Sequence, residues 1–208
     1  MNCAVVPPRL TRAEKREQTR AQLLDAAARV FAERGFDGAS VDEVAAAAGF
    51  TKGAVYTHFG SKDELFLAML EERYSQRMAE LERVLEAPGD TTGQARTAAR
   101  EFEQYARADP DWQRLYLEAT LYASRDAGFR AAFARRHREM NERMAAALKK
   151  RIERDGLESA IPYEQLATFI SAMAGGALME SMVTSVKQSD GLLGSMLEML
   201  IPGIVQQG

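Results

Sequence analysis

Apolar residues recur at helical spacing along nearly the whole chain of 208 residues. Near the N-terminus, Leu23, Leu24, Ala27, Val30 and Phe31 follow one another at intervals that place them on one face of a helix. No stretch alternates apolar and polar residues as a half-buried strand does. Because Ala, Leu, Glu, Arg and Met, which favour helices, are also frequent, the pattern predicts an all-α protein.

Glycine and proline divide this pattern into about nine predicted helices. Pro88-Gly89 and Asp109-Pro110, for example, each interrupt a long periodic segment. The predicted helices cover approximately residues 12–34, 41–48, 52–58, 62–86, 91–108, 110–124, 127–154, 162–187 and 190–205.

Residues 40–62 contain two short helices joined by a tight turn. Ser40 and Glu43 have the spacing of a capping box, which starts a helix. Gly49 follows that helix, where a left-handed residue closes it, and Thr51 can cap the next one. Helices of about two turns are not stable alone, so both must pack on the first helix. This arrangement is typical of a helix-turn-helix.

The second short helix has distinct inward and outward positions. Ala54, Val55 and Phe59 are its expected buried anchors. Ser61 and Glu64 repeat the capping-box spacing and start the next helix. The outward positions hold small, polar, aromatic and cationic residues, which suit the major groove of DNA: Thr51, Lys52, Gly53, Tyr56, Thr57 and His58.

The charge distribution gives modest support to contact with DNA. The whole chain has a net charge of −3, but residues 1–62 carry nine Lys/Arg against seven Asp/Glu. Affinity for phosphate depends on the face presented to DNA more than on total charge. The basic residues before the motif can equally be a solvated helix face: Arg9, Arg12, Lys15, Arg16 and Arg20.

Residues from about 20 to 66 resemble the DNA-binding domain of the TetR family of bacterial repressors. The matching segments are 24–27 (LDAA), 30–36 (VFAERGF), 48–59 (AGFTKGAVYTHF) and 61–66 (SKDELF). The resemblance implies an N-terminal three-helix helix-turn-helix domain and a C-terminal helical ligand-binding and dimerisation domain. The expected divisions are a flexible arm at 1–11, the DNA-binding domain at 12–61, and the effector-binding and dimerisation domain at 62–208.

The same resemblance implies roles for individual residues. Tyr56 and His58 match positions that contact phosphate, although His58 could instead be a packed neutral histidine. Lys52 and Thr57 are expected at base edges, and Ser40 and Lys62 are expected to clamp the DNA backbone. The complete expected set of DNA contacts is Ser40, Thr51, Lys52, Gly53, Tyr56, Thr57, His58 and Lys62.

The last two predicted helices carry apolar stripes that indicate a homodimer interface. A helix-turn-helix usually works as a symmetric pair, and the resemblance implies pairing through a four-helix bundle of these helices. The alternative is that the stripes belong to the core of a single chain. The expected interface residues are Phe169, Met173, Gly176, Ala177, Glu180, Met196, Leu197, Leu200 and Ile204.

Aromatic and methionine side chains align on the middle helices. Such faces form either a packed core or the lining of a cavity for an apolar or aromatic effector, and the resemblance favours the cavity. The expected lining residues are Phe102, Tyr105, Trp112, Tyr116, Glu118, Tyr122, Phe133, His137, Met140 and Met173.

The residue pattern argues against catalytic and metal-binding functions. His58 and His137 are the only histidines, and neither has a second histidine or a cysteine nearby, so we expect no metal site. A di-iron carboxylate site needs Glu-x-x-His, but Val55 and Ala134 stand three residues before the histidines. No phosphate-loop or dinucleotide glycine motif occurs either, so we expect neither a cofactor nor an enzyme.

The sequence also indicates a cytoplasmic protein without a membrane partner. We see no apolar run that approaches the roughly 20 residues of a membrane helix. Residues 1–9 lack the apolar stretch of a secretory signal, and a lone cysteine, Cys3, fits a reducing compartment.

These observations together predict a DNA-binding transcriptional regulator. The expected mechanism is repression, relieved when a small apolar or aromatic effector releases the homodimer from a palindromic operator, with the helix at 62–86 as the lever. An activator, or a ligand-independent DNA-binding protein of the same fold, is the alternative. The operator, the effector and the target genes cannot be read from the residues.

Overall fold

The computed structural model describes residues 11–184 and 191–207. Within them, nine helices and two short strands make up the regular structure. The helices are α1 (Arg12–Gly38), α2 (Val41–Ala48), α3 (Lys52–His58), α4 (Lys62–Glu86), α5 (Thr91–Ala108), α6 (Pro110–Arg125), α7 (Ala127–Arg154), α8 (Tyr163–Val183) and α9 (Leu192–Ile204). The strands are β1 (Leu157–Ser159) and β2 (Val205–Gln207).

The predicted all-α class and the order of the helices are confirmed. α1 continues to Gly38, but its backbone breaks at Gly35 (φ 71°, ψ 168°), next to the predicted end at residue 34. α8 ends earlier than predicted because Thr184 is extended (φ −105°, ψ 169°). The rest of that prediction, residues 185–187, lies outside the described residues.

Two short strands, which the sequence did not predict, accompany the helices. β1 and β2 pair antiparallel, with Leu157 opposite Gln207 and Ser159 opposite Val205. Each strand has three residues, which is too few to show the alternation by which a strand is recognised.

The described chain divides into two compact units, which meet in sequence between Leu70 and Glu71. In the first unit, three aromatic rings form the centre of the core. The Phe66 ring centroid lies 4.9 Å from that of Phe31 and 4.7 Å from that of Phe36. Val44 of α2 and Val55 of α3 are almost fully buried, so both short helices obtain their stability from this core.

The predicted caps of α2 and α3 are confirmed. Ser40 Oγ accepts from the backbone N–H of Glu43 (3.2 Å), and Glu43 Oε2 accepts from the backbone N–H of Ser40 (2.9 Å). Gly49 takes the left-handed conformation (φ 74°, ψ 24°) that ends α2. Thr51 Oγ1 accepts from the N–H of Ala54 (3.2 Å) and starts α3.

Two other caps differ from what was predicted. The side chain of Glu64 accepts from the backbone N–H of Gly60 (2.8 Å), whereas Ser61 Oγ accepts from the N–H of Glu64 (3.1 Å). Ser61 therefore caps the helix as predicted, but the Glu64 side chain accepts from the N–H of Gly60 instead of that of Ser61. α1 begins with a complete capping box of Thr11 and Glu14, which the sequence analysis did not predict.

The second unit contains most of α4 and the helices α5 to α9. Ala99 of α5, Met173 of α8, and Leu193 and Leu197 of α9 form a buried cluster. On α6, Trp112, Leu115 and Ala119 are also buried, at the spacing of one helix face.

A buried arginine joins the ends of α4 and α7. Arg151 is 2% exposed, and its guanidinium donates to the backbone oxygens of Leu85 (3.2 Å), Ala87 (3.0 Å) and Gly89. The same group lies 3.0 Å from the carboxylate of Asp155. The carbonyl of Leu85, in the last turn of α4, has no partner within its own helix, and Arg151 supplies a donor to it and to two carbonyls of the segment that follows.

Asp155 links this arginine to the start of α5. Its Oδ2 accepts from Thr91 Oγ1 at 2.6 Å. This hydrogen bond, followed by the guanidinium of Arg151, holds the pKa of Asp155 below its usual value. The ion pair therefore connects α4, α5 and α7 at one point.

α8 contradicts the expectation that no segment could span a membrane by length. Its 21 residues are long and apolar enough for that, and only 17% of the apolar stretch is buried inside the chain. Phe169 (39% exposed), Met179 (59%) and Met182 (47%) belong to this uncovered surface. A single chain therefore leaves much of α8 without a partner in the part that the structure describes.

We expect Arg151→Met to lower the free energy of unfolding by about 3 kcal/mol, because it leaves Asp155 unpaired and three carbonyls without a donor. Urea unfolding followed by circular dichroism measures the change. Arg114→Met is the matched control. Arg114 pairs with Asp111 (3.1 Å) at the surface, where an ion pair contributes about 0.5 kcal/mol.

The pH dependence checks that the Asp155 carboxylate is responsible. Because folding lowers the pKa of Asp155, its stabilising effect is complete above the unfolded pKa of about 3.9 and is lost as the pH falls through the folded value. The stability difference between the wild type and Asp155→Asn should therefore be largest near neutrality and shrink in acid. Equal effects of Arg151→Met and Arg114→Met at pH 7 would contradict the assignment.

Candidate nucleic-acid interface and ligand cavity

α3 and its cap expose one polar face. Thr51, Lys52, Gly53, Tyr56 and Thr57 are all exposed. On the opposite side, two of the predicted anchors are buried, Val55 (1% exposed) and Phe59 (2%), whereas the third, Ala54, is only half-buried. The first unit therefore holds α3 by one side and leaves the other free to enter a groove.

His58 lies at the edge of this face and is half-buried. Its ring centroid is 6.1 Å from that of Phe59. Burial lowers the pKa of His58, and the positive charges of Arg16 and Arg20 lower it further, so the ring is neutral near pH 7. This places two of the basic residues of α1 beside the C-terminal end of α3.

Lys52 is already paired in the chain without DNA. Its Nζ donates to Asp42 Oδ2 at 2.7 Å, and this hydrogen bond raises the pKa of Lys52. Both side chains are more than half exposed, so the pair adds little stability. The sequence does not predict the role of Asp42, because only the packing of α2 against α3 brings these residues, ten positions apart, together.

The two predicted backbone clamps also hold parts of their own chain. Lys62 Nζ donates to the backbone oxygens of Phe36 (2.8 Å) and Ala39 (3.1 Å) and lies 4.5 Å from the centroid of the Phe36 ring. Ser40 Oγ donates to Glu43 Oε2 (2.9 Å). Lys62 thus stabilises the C-terminal end of α1 with two of its three N–H donors, and the third is left for a contact with phosphate.

The second unit contains a cavity of about 180 Å³ with walls from α4 to α9. Six of the ten residues predicted to line it do so: Phe102, Tyr105, Trp112, Tyr116, His137 and Met140. The sequence did not distinguish a core position from a cavity position for His137, and the structure has it on the cavity wall.

The other four predicted residues are not part of the described lining. Glu118 and Tyr122 stand two and six positions after Tyr116, which turns them to other faces of α6. The ring of Tyr122 packs on Phe129, 4.7 Å between centroids, and that of Phe133 lies 5.8 Å from Tyr116. Met173 belongs to the buried cluster of α5, α8 and α9.

α4 supplies a wall that the sequence analysis did not predict. Tyr74, Arg77, Met78, Leu81 and Val84 line the cavity at the spacing of one helix face. The same spacing is present in the sequence, where it marks an apolar face of α4. The Tyr74 ring meets Trp112 edge-on, 5.0 Å between centroids, and burial raises the pKa of Tyr74 well above its usual value.

Polar groups are few in this cavity. Arg77 lies with its guanidinium carbon 3.5 Å from the centroid of the Tyr105 ring, and its Nη1 is 2.5 Å from Glu80 Oε2. His137 Nε2 lies 3.4 Å from Asn141 Nδ2, and burial lowers the pKa of His137, so the imidazole is neutral. The cavity can therefore offer an apolar ligand a small number of directed hydrogen bonds.

The residues predicted for the dimer interface have different environments in the single chain. Met173 and Leu197 are buried against their own chain, because they pack in the cluster with Ala99, so they have little surface left for a partner. Gly176 and Glu180 are exposed, like Phe169. The remaining predicted residues are half-buried: Ala177, Met196, Leu200 and Ile204.

Within residues 11–184 and 191–207, no group of three or more His, Cys, Asp or Glu side chains lies close enough together to hold a metal ion.

Comparison with known proteins identifies a protein family whose sequence profile matches the helix-turn-helix. The family profile described as "Bacterial regulatory proteins, tetR family" matches residues 23–69, which include α2, α3 and parts of α1 and α4.

Relatives match well beyond this segment. The HTH-type transcriptional repressor AcnR of Corynebacterium glutamicum is 29% identical over 78% of this chain and 81% of its own length. The HTH-type transcriptional activator FasR of Mycolicibacterium smegmatis is 36% identical over 50% of this chain and 47% of its own. The solved structure of SmeT, the repressor of the Stenotrophomonas maltophilia multidrug efflux pump SmeDEF, superposes with a TM-score of 0.64 at 29% identity, covering 94% of each chain.

We expect Asp42→Asn to increase the affinity for duplex DNA several-fold at low salt, because it frees Lys52 and removes a negative charge from the α3 face. Fluorescence anisotropy with a non-specific duplex, repeated over a range of salt concentrations, measures the effect. Asp25→Asn makes the same change of charge on the exposed side of α1. If both variants bind equally, net charge alone accounts for the gain and the pair does not restrain Lys52.

Proposed function

The chain belongs to the TetR family of bacterial regulatory proteins, and from this membership we propose that it is a homodimeric transcriptional repressor, which a small apolar or aromatic molecule releases from a palindromic operator. The observation that carries the DNA-binding part is the exposed polar face of α3, anchored by Val55 and Phe59. The cavity in the second unit supports the part that concerns the effector.

The α3 face has the chemistry for a major groove. Lys52 and Thr57 are proposed to contact base edges, and Tyr56, with Ser40 and Lys62, to contact phosphate. Thr57 Oγ1 donates to the backbone oxygen of Gly53 (2.9 Å), which leaves its lone pairs to accept from a base. The small residues Thr51 and Gly53 let the backbone come close to the DNA. His58, neutral and half-buried, is proposed as a short-range polar contact.

A second copy of the chain is the proposed partner of α8 and α9. Exposed apolar residues such as Phe169, Met179 and Met199 would be covered by the same surface of the partner in a two-fold arrangement. Two recognition helices would then read half-sites about 34–36 Å apart, or a multiple of this distance. The apolar length of α8 is attributed to this interface, and the proposed location is the cytoplasm.

α4 is the proposed connection between ligand and DNA. It begins at Lys62 in the first unit, and in the second unit its residues Tyr74, Arg77 and Met78 line the cavity. A ligand that favours one position of α4 would change the fit of the two recognition helices. A coupling of about 1–3 kcal/mol changes operator affinity by about 5–150-fold. A ligand that binds the cavity and leaves operator affinity unchanged would contradict this switch.

An activator of the same fold is the second candidate, because the relative FasR is named an activator. DNA binding is identical in the two cases, so the position of the operator relative to the promoter distinguishes them. A ligand-independent regulator would show no ligand-induced rise in thermal stability. We assign no catalytic role to the chain.

Selection from random duplexes tests the DNA-binding proposal. We expect the wild type to enrich a palindrome, Lys52→Ala to change the preferred bases, and Lys62→Ala to weaken binding to all sequences alike. Lys62→Ala should also lower the thermal stability, since Lys62 holds the end of α1. The proposal fails if no palindrome is enriched, or if Lys62→Ala alters base preference and Lys52→Ala does not.

Sedimentation equilibrium tests the dimer. We expect the wild type to have twice the chain mass of 23.0 kDa, and Met179→Glu to shift it towards a single chain, because a buried carboxylate would lack a partner. Leu121→Glu is the matched control, since Leu121 is an exposed apolar residue (49%) on α6. A monomeric wild type, or an equal effect of both substitutions, would exclude α8 as the interface.

A further inference from the structure

Two nitrogen atoms in the cavity wall are buried without a hydrogen-bond partner in the described part of the chain. They are Nε of Arg77, on α4, and Nδ1 of His137, on α7. Buried polar groups in folded proteins nearly always have a partner, and leaving one unpaired is unfavourable. Because both side chains line the same cavity, a bound molecule can supply what the protein does not.

The neighbours of His137 determine which of its nitrogens carries the hydrogen. Asn141 lies between Ser171 and His137, and its Oδ1 accepts from Ser171 Oγ at 2.9 Å. The amide nitrogen of Asn141 therefore faces Nε2 of His137, at 3.4 Å, and donates to it. A neutral imidazole that accepts at Nε2 has its hydrogen on Nδ1. The unpaired atom of His137 is thus a donor.

Arg77 is held in place by its other contacts. Its Nη1 lies 2.5 Å from Glu80, and its guanidinium plane packs over the ring of Tyr105. The Nε–H of this cavity-wall residue is therefore a second unpaired donor. An acceptor atom on a bound molecule is the group that can satisfy either donor.

The charges of the cavity wall are already balanced. Of its two carboxylates, Glu80 pairs with Arg77 and Glu101 pairs with Arg83, at 3.2 Å. The histidine is neutral. A charged ligand would therefore enter a mostly apolar space without a free counter-charge, which is unfavourable.

The volume and the walls limit the ligand further. A cavity of roughly 150 Å³ lined by apolar side chains accepts benzene, so about 180 Å³ has room for one aromatic ring with a small substituent. Phe102, Trp112 and Tyr116 offer ring faces and edges to such a molecule.

We propose that the cavity selects an uncharged aromatic molecule with a carbonyl-type oxygen, which accepts from His137 Nδ1–H, from Arg77 Nε–H, or from both. The inference rests on the proposed function, because it names the chemical class of the effector for the same cavity. It assigns the two residues as specificity determinants of the ligand site.

Four benzene derivatives of similar size test the proposal by isothermal titration calorimetry on the full chain without DNA. Acetophenone has the carbonyl, and α-methylstyrene replaces its oxygen by a CH₂ group of the same shape. Benzoate and the phenyltrimethylammonium ion carry a negative and a positive charge. We expect the ketone to bind about fivefold to tenfold more tightly than the hydrocarbon, as one hydrogen bond provides, and both ions to bind more weakly than the ketone.

Substitutions separate the hydrogen bonds from packing. His137→Phe keeps a ring but removes the donor, whereas His137→Asn retains an N–H near the position of Nδ1. Arg77→Lys keeps the charge beside Glu80 and removes the Nε–H. We expect the ketone preference to fall towards one in His137→Phe, in Arg77→Lys, or in both, and to persist in His137→Asn if His137 is the donor. Arg114→Lys makes the same exchange in an exposed pair and should leave the preference unchanged.

Several outcomes would overturn the proposal. These are equal binding of ketone and hydrocarbon, tightest binding of either ion, no binding of any probe, and a ketone preference that survives both His137→Phe and Arg77→Lys. Because the titration contains no DNA, each of them leaves operator binding by α3 untouched. Conversely, a chain that selects no operator can still show the ketone preference, so failure of the proposed function is recognised separately.

Discussion

The candidate DNA-binding surface depends on the packing of three phenylalanine rings. Phe31 and Phe36 of α1 pack against Phe66 of α4, and Val44 and Val55 are buried in the same unit. α2 and α3 have eight and seven residues, so neither has enough internal hydrogen bonds to persist without this core. The polar face of α3 is therefore a consequence of apolar burial on its other side. Lys62 strengthens the arrangement, since it packs on the Phe36 ring and binds the last carbonyls of α1.

The second unit meets a different constraint, because it keeps a cavity open in its interior. An empty space gives up packing energy, so its walls must be held by other interactions. Arg151 supplies one of them at the end of α4, where it binds three carbonyls and Asp155. The ion pairs of Arg143 with Glu82 and of Lys150 with Glu86 connect α4 to α7 along the same side. The helix that carries Arg77 is thus fixed at its C-terminal end.

Much of the site could be predicted because its signals are local. The caps at Ser40 and Thr51 and the left-handed Gly49 depend on spacings of a few residues, and the structure confirms them. Six cavity residues were also predicted, since an apolar helix face is visible as a period. The pairing of Lys52 with Asp42 could not be predicted, because it depends on how α2 and α3 pack against each other. For the same reason the sequence did not distinguish Met173 and Leu197, which are core residues, from their exposed neighbours on α8 and α9.

The sequence by itself determined the helices, their order and the helix-turn-helix, because hydrophobic periodicity, caps and glycine breaks act over one or two turns of chain. It also determined which residue types stand on the recognition face. Only the tertiary structure decided what those residues do in the absence of DNA, where Lys52 and Lys62 already have partners. It alone brought Arg77 and His137 to one cavity from helices about sixty residues apart in the chain and left a nitrogen of each without a partner. Long-range packing determines such pairings, and no local pattern records it.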